Sequence, residues 1–202
     1  MIKPTEANKI ILPKIIKILK NNKISLKARI LDFGCGNSYI VTKLFNLGYK
    51  DINGIDIKPQ VPKKIPKKYF KYYQNLLISD LTDNKLFKQK LGKYDLIIST
   101  EVIEHIFEIE KYLNNLNKLL RKSGIIVLST PYHGYIKNLT ISIFNLWDKH
   151  FHSDAVGGHI RFFSYSVISK ILFKNRLKIV QFVGVGRLPY IWKSMLLVII
   201  KL

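Results

Sequence analysis

Two groups of residues in this chain have the types and spacing to do chemistry. The first is Asp32, Gly34 and Gly36, in a turn that follows the apolar pair Ile30 and Leu31. Glycine is wanted where a backbone passes through positive φ or comes close to a ligand. In an open α/β sheet that place is the carboxyl end of the first strand. The turn therefore reads as a cradle for a nucleoside cofactor. A second acid, Asp56, closes the run Ile52-Asn-Gly-Ile-Asp56, about 20 residues downstream, where an acid takes ribose hydroxyls. The dinucleotide fingerprint asks for a third small residue behind a pyrophosphate, and that position holds Tyr39. A cofactor with a ribose and no pyrophosphate satisfies both facts, and S-adenosylmethionine is one.

The second group is Glu101, Glu104 and His105. On a helical turn, positions i, i+3 and i+4 share one face. Two carboxylates and an imidazole can then converge on one divalent cation, with His159 as a fourth ligand. Hard oxygen ligands suit magnesium, and added imidazoles admit manganese, iron or zinc. The competing reading has no metal. Acids in a first helical turn also answer the helix dipole, and His105 then orients a loop or serves alone as the base. The two readings stand level, and both keep His105 near the acceptor. His133, His150 and His152 are weaker candidates, read as surface histidines of the segment around them.

These residues need elements to hold them. Apolar runs predict strands at about 29–33, 52–56, 73–78, 94–99 and from Gly124 to Thr130, with helices at about 38–47 and 108–121. Strands that alternate with helices argue for a mostly parallel sheet covered on both faces. Residues 58–73 hold Pro59, Pro62, Pro66, six lysines and a Tyr/Phe cluster. Prolines at that density oppose a regular helix, so a short helix or a solvated basic loop is expected there. Residues 132–157, rich in aromatics with an apolar stripe at Leu139, Ile143 and Leu146, read as a lid over the acceptor, since loops at that edge carry specificity. No repeat or linker divides the chain, and one domain over 1–202 is expected.

The motifs in order carry a resemblance. Ile30-Leu-Asp-Phe-Gly-Cys-Gly-Asn37 resembles motif I of the class I S-adenosylmethionine-dependent methyltransferases. Asp56 stands at that family's ribose-binding acid, with Ile57 beside it, and Asp80-Leu81 resembles the adenine-edge contact. Tyr94-Asp-Leu-Ile-Ile-Ser-Thr-Glu-Val-Ile-Glu-His105 resembles the fourth strand and the helix after it, and its Glu-Val-Ile-Glu-His spelling is closest to the ubiquinone-biosynthesis O-methyltransferase branch. The stretches 119–131 and 158–164 match the fifth strand and the opening of the last long helix. One departure is Ser38, where many members have a third glycine.

The resemblance implies a Rossmann-like sheet of seven strands, mostly parallel, with helices on both faces and an antiparallel last strand at about 195–200. It implies that Asp32 meets the methionine ammonium, that the main chain at Gly34, Cys35 and Gly36 cradles the cofactor, and that Asp80 meets the adenine amino group. In the ubiquinone-type and small-RNA branches, the positions matching Glu101, Glu104 and His105 bind a metal that holds the acceptor oxygen. It also places a helix like that of residues 1–24 beside the cofactor mouth, although a plain packing helix, split at Pro13, is the simpler reading.

The function this implies is O-methylation of a small hydroxyl acceptor, phenolic, quinone-precursor or sugar-like. The sulfonium is already activated, so a protein supplies mainly proximity and alignment. A hydroxyl must also lose a proton, which calls for a base or a metal. The alternatives are an RNA 2'-hydroxyl methyltransferase and a binding protein that keeps the fold without turnover.

Composition narrows the classes. Cys35 is the only cysteine, so no disulfide framework exists and a cytoplasmic setting is expected. The net charge of +21 invites an anionic partner. It comes nearly all from lysine, beside abundant isoleucine and asparagine, which reads as compositional drift; nucleic acid is disfavoured. Residues 1–20 offer no uninterrupted apolar core for a signal peptide. The run at 195–200 is too short to span a bilayer. Peripheral membrane contact through the lid, around Trp147, is the lesser reading.

Overall fold

Ile30 and Leu31 are neighbours in sequence and belong to opposite cores, because successive strand side chains face opposite sides of a sheet. In the computed structural model, which describes residues 2–83, 91–151 and 158–202, that alternation organises the molecule. Strands β1 (Ile30–Phe33), β2 (Ile52–Asp56), β3 (Leu77–Ile78), β4 (Tyr94–Thr100), β5 (Leu120–Pro131), β6 (Leu177–Val185) and β7 (Ser194–Lys201) form one sheet in the order β3-β2-β1-β4-β5-β7-β6. β7 is antiparallel to both its neighbours; β1 to β5 run parallel. On one face, Ile30, Leu96 and Ile98 pack against α1 (Glu6–Asn21) and α2 (Tyr39–Asn46) through Ile15 and Leu44. On the other, Leu31, Phe33 and Ile97 pack against α4 (Ile109–Leu119) and α7 (Tyr165–Lys174) through Leu116 and Ile168. The expected Rossmann-like sheet of seven strands is the one found.

β7 explains its own composition. Leu196 and Val198 serve one core, and Met195, Leu197 and Ile199 the other. A strand buried on both faces must be apolar throughout, and each such side chain contributes roughly 1.5–3 kcal/mol. Among the described residues no helix is long and apolar enough to cross a membrane.

Several local expectations change. α1 continues through Pro13 instead of splitting there, because Pro13 lies on the exposed face, where water can satisfy the carbonyl it leaves unpaired. β5 begins at Leu120, not at Gly124. Its pairing with β4 is irregular between Tyr94 and Leu96, and Gly124 sits inside that irregularity. The basic segment forms a short helical turn at Lys67–Tyr69 and then α3 (Phe70–Gln74). Two of its aromatics are not solvated. Tyr69 and Tyr72 are buried edge-on to Phe45. The lid segment folds into α5 (Tyr135–Ile143) and α6 (Trp147–Phe151). Leu139 and Ile143 of its apolar stripe are exposed. His152 and the end of that segment, 152–157, lie outside the described residues.

Candidate functional site: two cavities meeting at the sheet edge

β1 and β4 lie side by side while the chain runs outward in opposite directions from them. Ligands of open α/β sheets bind in the crevice at such a switch point. A cavity of about 750 Å³ occupies it, lined by residues that include Asp32, Gly34, Gly36, Asp56 and Glu101.

The turn after β1 is pinned by its neighbour strand. The Gly34 and Cys35 N–H groups both donate to the Ile55 carbonyl, at 2.8 and 3.1 Å. Gly34 has φ +92°, and a Cβ there would collide with Val102; the position needs glycine for both reasons. The Gly36 N–H donates to Asp56 Oδ2 at 2.8 Å, and the Lys58 N–H to Asp56 Oδ1 at 2.8 Å. A carboxylate oxygen has two lone pairs, so each retains one for a ligand hydroxyl. Ser38 itself sits at φ +58°, where glycine would relax, and its buried hydroxyl bonds the Tyr72 hydroxyl at 3.0 Å.

Asp32 is the unusual acid. It is 3% exposed, and its Oδ1 has no hydrogen-bond partner. Burial, with the Asp56 charge added, pushes its carboxyl up to about 7. Burial likewise holds the Cys35 thiol well above its usual range, helped by the Asp32 charge, so Cys35 is no nucleophile. Asp80 lies on the cavity wall. Its Oδ1 accepts from the Thr82 N–H and hydroxyl, both at 2.8 Å, which caps the loop. Leu81 and Ile57 complete that wall. Thr5, Ala7 and Asn8 close the cavity from the start of α1, so the amino-terminal helix is at the mouth. The resemblance places a helix there, although the residues of 1–24 by themselves do not say what the helix covers.

Glu101, Glu104 and His105 do not share a helical face. Glu101 has φ +53° and precedes a single tight turn, Ile103–His105. Its two oxygens accept separately, from the Ser129 hydroxyl at 2.8 Å and the Ser194 hydroxyl at 3.3 Å. Glu104 is fully buried; Thr130 donates to its Oε2 at 2.9 Å, and its Oε1 has no hydrogen-bond partner. Burial raises both carboxyls, and it holds Glu104 well above the usual range, with the Glu101 charge adding to it. His105 Nδ1 lies 3.2 Å from the Gly158 carbonyl. A carbonyl only accepts, so Nδ1 carries the proton and Nε2 keeps its lone pair. The His105 and His159 rings are 5.0 Å apart. Ligand atoms of Glu104, His105 and His159 fall within 4.8 Å of one another. Glu101 is not in that cluster; its serine partners hold it.

A second cavity, of about 480 Å³, lies beyond Glu101. Pro131, His133, Lys137, His159, Arg187 and Lys193 are among its lining residues. Burial is the main cause that lowers His133 to about 4, helped by the Lys137 charge. Burial, with Arg187 adding to it, lowers Lys137 to about 8. Ala7 and Glu101 line both cavities. Lys137, Arg187 and Lys193 escape a reading of sequence, because one basic residue among so many carries no signal.

A family model described as a methyltransferase domain matches residues 7–181. The chain is 30% identical over 119 residues to a ubiquinone biosynthesis O-methyltransferase of Pelagibacter ubique, covering 58% of this chain and 48% of the relative. It is 33% identical over 129 residues to that of Rickettsia prowazekii, covering 61% and 48%. The chain thus spans about half the length of these relatives. Among solved structures, it is similar to magnesium protoporphyrin IX methyltransferase from Synechocystis PCC 6803 with bound SAH, with a TM-score of 0.65 and 18% identity over 95% of this chain and 82% of that one. The methyltransferase domain of bacterial-CtHen1-CN gives 0.67 at 18% identity, over 98% and 100%. With the sheet order and the glycine turn already in place, these matches close the question of kinship: the chain belongs to the methyltransferase-domain family and has its class I fold.

Proposed function

We propose that the 750 Å³ cavity binds S-adenosylmethionine and that its methyl group passes to a hydroxyl oxygen of a small acceptor in the 480 Å³ cavity. The observation that carries this reading is the pair Ala7 and Glu101, which line both spaces and so mark where a donor and an acceptor would meet. The names of the relatives support oxygen as the acceptor atom.

Asp32 pairs with the methionine ammonium through its unpartnered Oδ1. Asp56 accepts from both ribose hydroxyls with its remaining lone pairs, and Asp80 accepts from the adenine amino group with the oxygen its loop cap leaves available. The main chain at Gly34, Cys35 and Gly36 lies against the cofactor, between walls made by Ile57 and Leu81. Transfer is an in-line displacement. Alignment across the cavity junction supplies most of the acceleration, and the proton of the acceptor hydroxyl goes to His105 Nε2 or to Glu101.

A divalent cation fits the donor set of Glu104, His105 and His159, since Glu104 Oε1 lacks a partner and His105 Nε2 keeps its lone pair. Two imidazoles with one carboxylate suit manganese, iron or zinc better than magnesium. A bound cation would lower the pKa of the acceptor hydroxyl, and with His105 Nε2 then occupied as a ligand the proton would go to Glu101.

Calorimetry with S-adenosylhomocysteine, with and without manganese, tests the reading. Micromolar binding is the expected result. No binding in either condition would reduce the chain to a scaffold.

A further inference from the structure

The 480 Å³ cavity carries more positive charge than its partners balance. Lys137, Arg187 and Lys193 line it, against a single carboxylate, Glu101, whose oxygens already accept from two serine hydroxyls. Lys137 is only 5% exposed, although it stands on α5, whose apolar residues Ile136, Leu139 and Ile143 face solvent. A helix that buries Lys137 beside Ile141 while Ile136 and Ile143 face solvent departs from the usual preference. The Lys137 ammonium donates to the Lys193 carbonyl at 3.3 Å, and among the described residues no carboxylate forms an ion pair with it. Burying an ammonium away from a paired carboxylate is costly; Arg187 and Lys193 repel it further, and the Glu101 charge offsets part of this. Such an arrangement is retained when something else supplies the negative charge.

We propose that the acceptor enters this cavity with an anionic group, a carboxylate or a phosphate, paired to Lys137 at the floor and to Arg187 and Lys193 at the mouth. This rests on the reading that the cavity holds the acceptor. The pairing directs the rest of the molecule, with its hydroxyl, toward Glu101. The volume suits one small organic acid or phosphate ester, and the planar fork of Arg187 matches either group in a bidentate way. The anion then acts as an address. Neutral hydroxyl compounds of the same shape leave the buried ammonium uncompensated, which is the stronger form of discrimination.

The test is calorimetry on the whole chain saturated with S-adenosylhomocysteine, at low salt. The probes are inorganic phosphate, benzoate and 3,4-dihydroxybenzoate, with 3,4-dihydroxybenzamide as the uncharged match. At least one anion should bind tenfold or more tighter than the amide, and the phosphate and carboxylate arms tell the two groups apart. Lys137→Met, which keeps bulk and removes charge, and Arg187→Ala at an exposed position should each abolish that preference while S-adenosylhomocysteine affinity stays the same. Equal affinity for anions and amide, no binding of any anion, or a preference that survives both substitutions overturns the proposal. Anion binding by a protein that refuses S-adenosylhomocysteine would instead sink the cofactor reading alone.

Discussion

Replacing Asp32 by asparagine should make the ligand-free protein more stable at pH 8 and unable to hold the cofactor. The carboxyl titrates at about 7 in the fold against 3.8 ordinarily. Above about pH 4 the unfolded chain has lost this proton and the native chain has not, so the native state binds more protons. Stability must then fall as pH rises, beginning near 4 and levelling off above about 7. From 3.8 to about 7, at roughly 1.4 kcal/mol per pH unit, the full penalty is on the order of 4 kcal/mol, of which about 2–3 kcal/mol develops between pH 5 and pH 8. Asp32→Asn keeps the shape and removes the titration. Urea denaturation of both proteins at pH 5, 6, 7 and 8 reads the difference directly. The stability gap should widen in favour of the variant by about 2–3 kcal/mol over that range. The cofactor reverses the sign. Its ammonium favours the ionised carboxyl, so S-adenosylhomocysteine binding at pH 6 should release up to one proton, seen as a dependence of the calorimetric heat on buffer ionisation enthalpy. Parallel stability profiles for the two proteins, or binding with no proton released, would falsify the account of Asp32.

Asp56→Ala should weaken S-adenosylhomocysteine binding by about a hundredfold or more, since two charge-assisted hydrogen bonds at roughly 1.5–3 kcal/mol each disappear and the turn that Asp56 pins is loosened; unchanged affinity in calorimetry would remove Asp56 from the ribose site. Gly34→Ala should destabilise the fold by roughly 1–3 kcal/mol through its φ of +92° and the collision with Val102, and Val102→Ala should recover part of that loss; a neutral Gly34→Ala in thermal melts contradicts the geometry. Glu104→Gln removes a buried carboxyl raised well above its usual range, so it should melt at a higher temperature at pH 8, while losing any manganese binding seen by calorimetry. A lower melting temperature, or manganese binding retained, argues that Glu104 is not the acid described.

The sheet was legible because burial on one or both faces writes itself into the chain. β1, β4 and β7 are largely apolar runs, and β2, β4 and β7 meet polar stops at Asp56, Glu101 and Lys201. The glycine turn was legible for a similar reason. Gly34 and Gly36 follow a strand directly and both sit at positive φ, which marks a tight turn at the sheet edge. The acid cluster was read correctly as a neighbourhood and wrongly as a geometry. Spacing of i, i+3 and i+4 assumes a regular helix, and Glu101 at φ +53° breaks it. What orients that acid is the pair Ser129 and Ser194, on strands far along the chain, and nothing local encodes their approach. Lys137 was hidden in the same way. Its burial depends on which side of α5 faces the sheet, and the apolar stripe points to the opposite side.

Glu101 rests on a serine from β5 and a serine from β7, and Ser194 pairs directly with Pro131. β7 is the last strand in chain order, yet it lies between β5 and β6. During folding, β1 to β5 can pair before it arrives, and only its insertion sets the second serine in place. Contacts of such long sequence separation form late. Until β7 is seated between β5 and β6, Glu101 therefore lacks its second serine partner, even where the glycine turn is already formed.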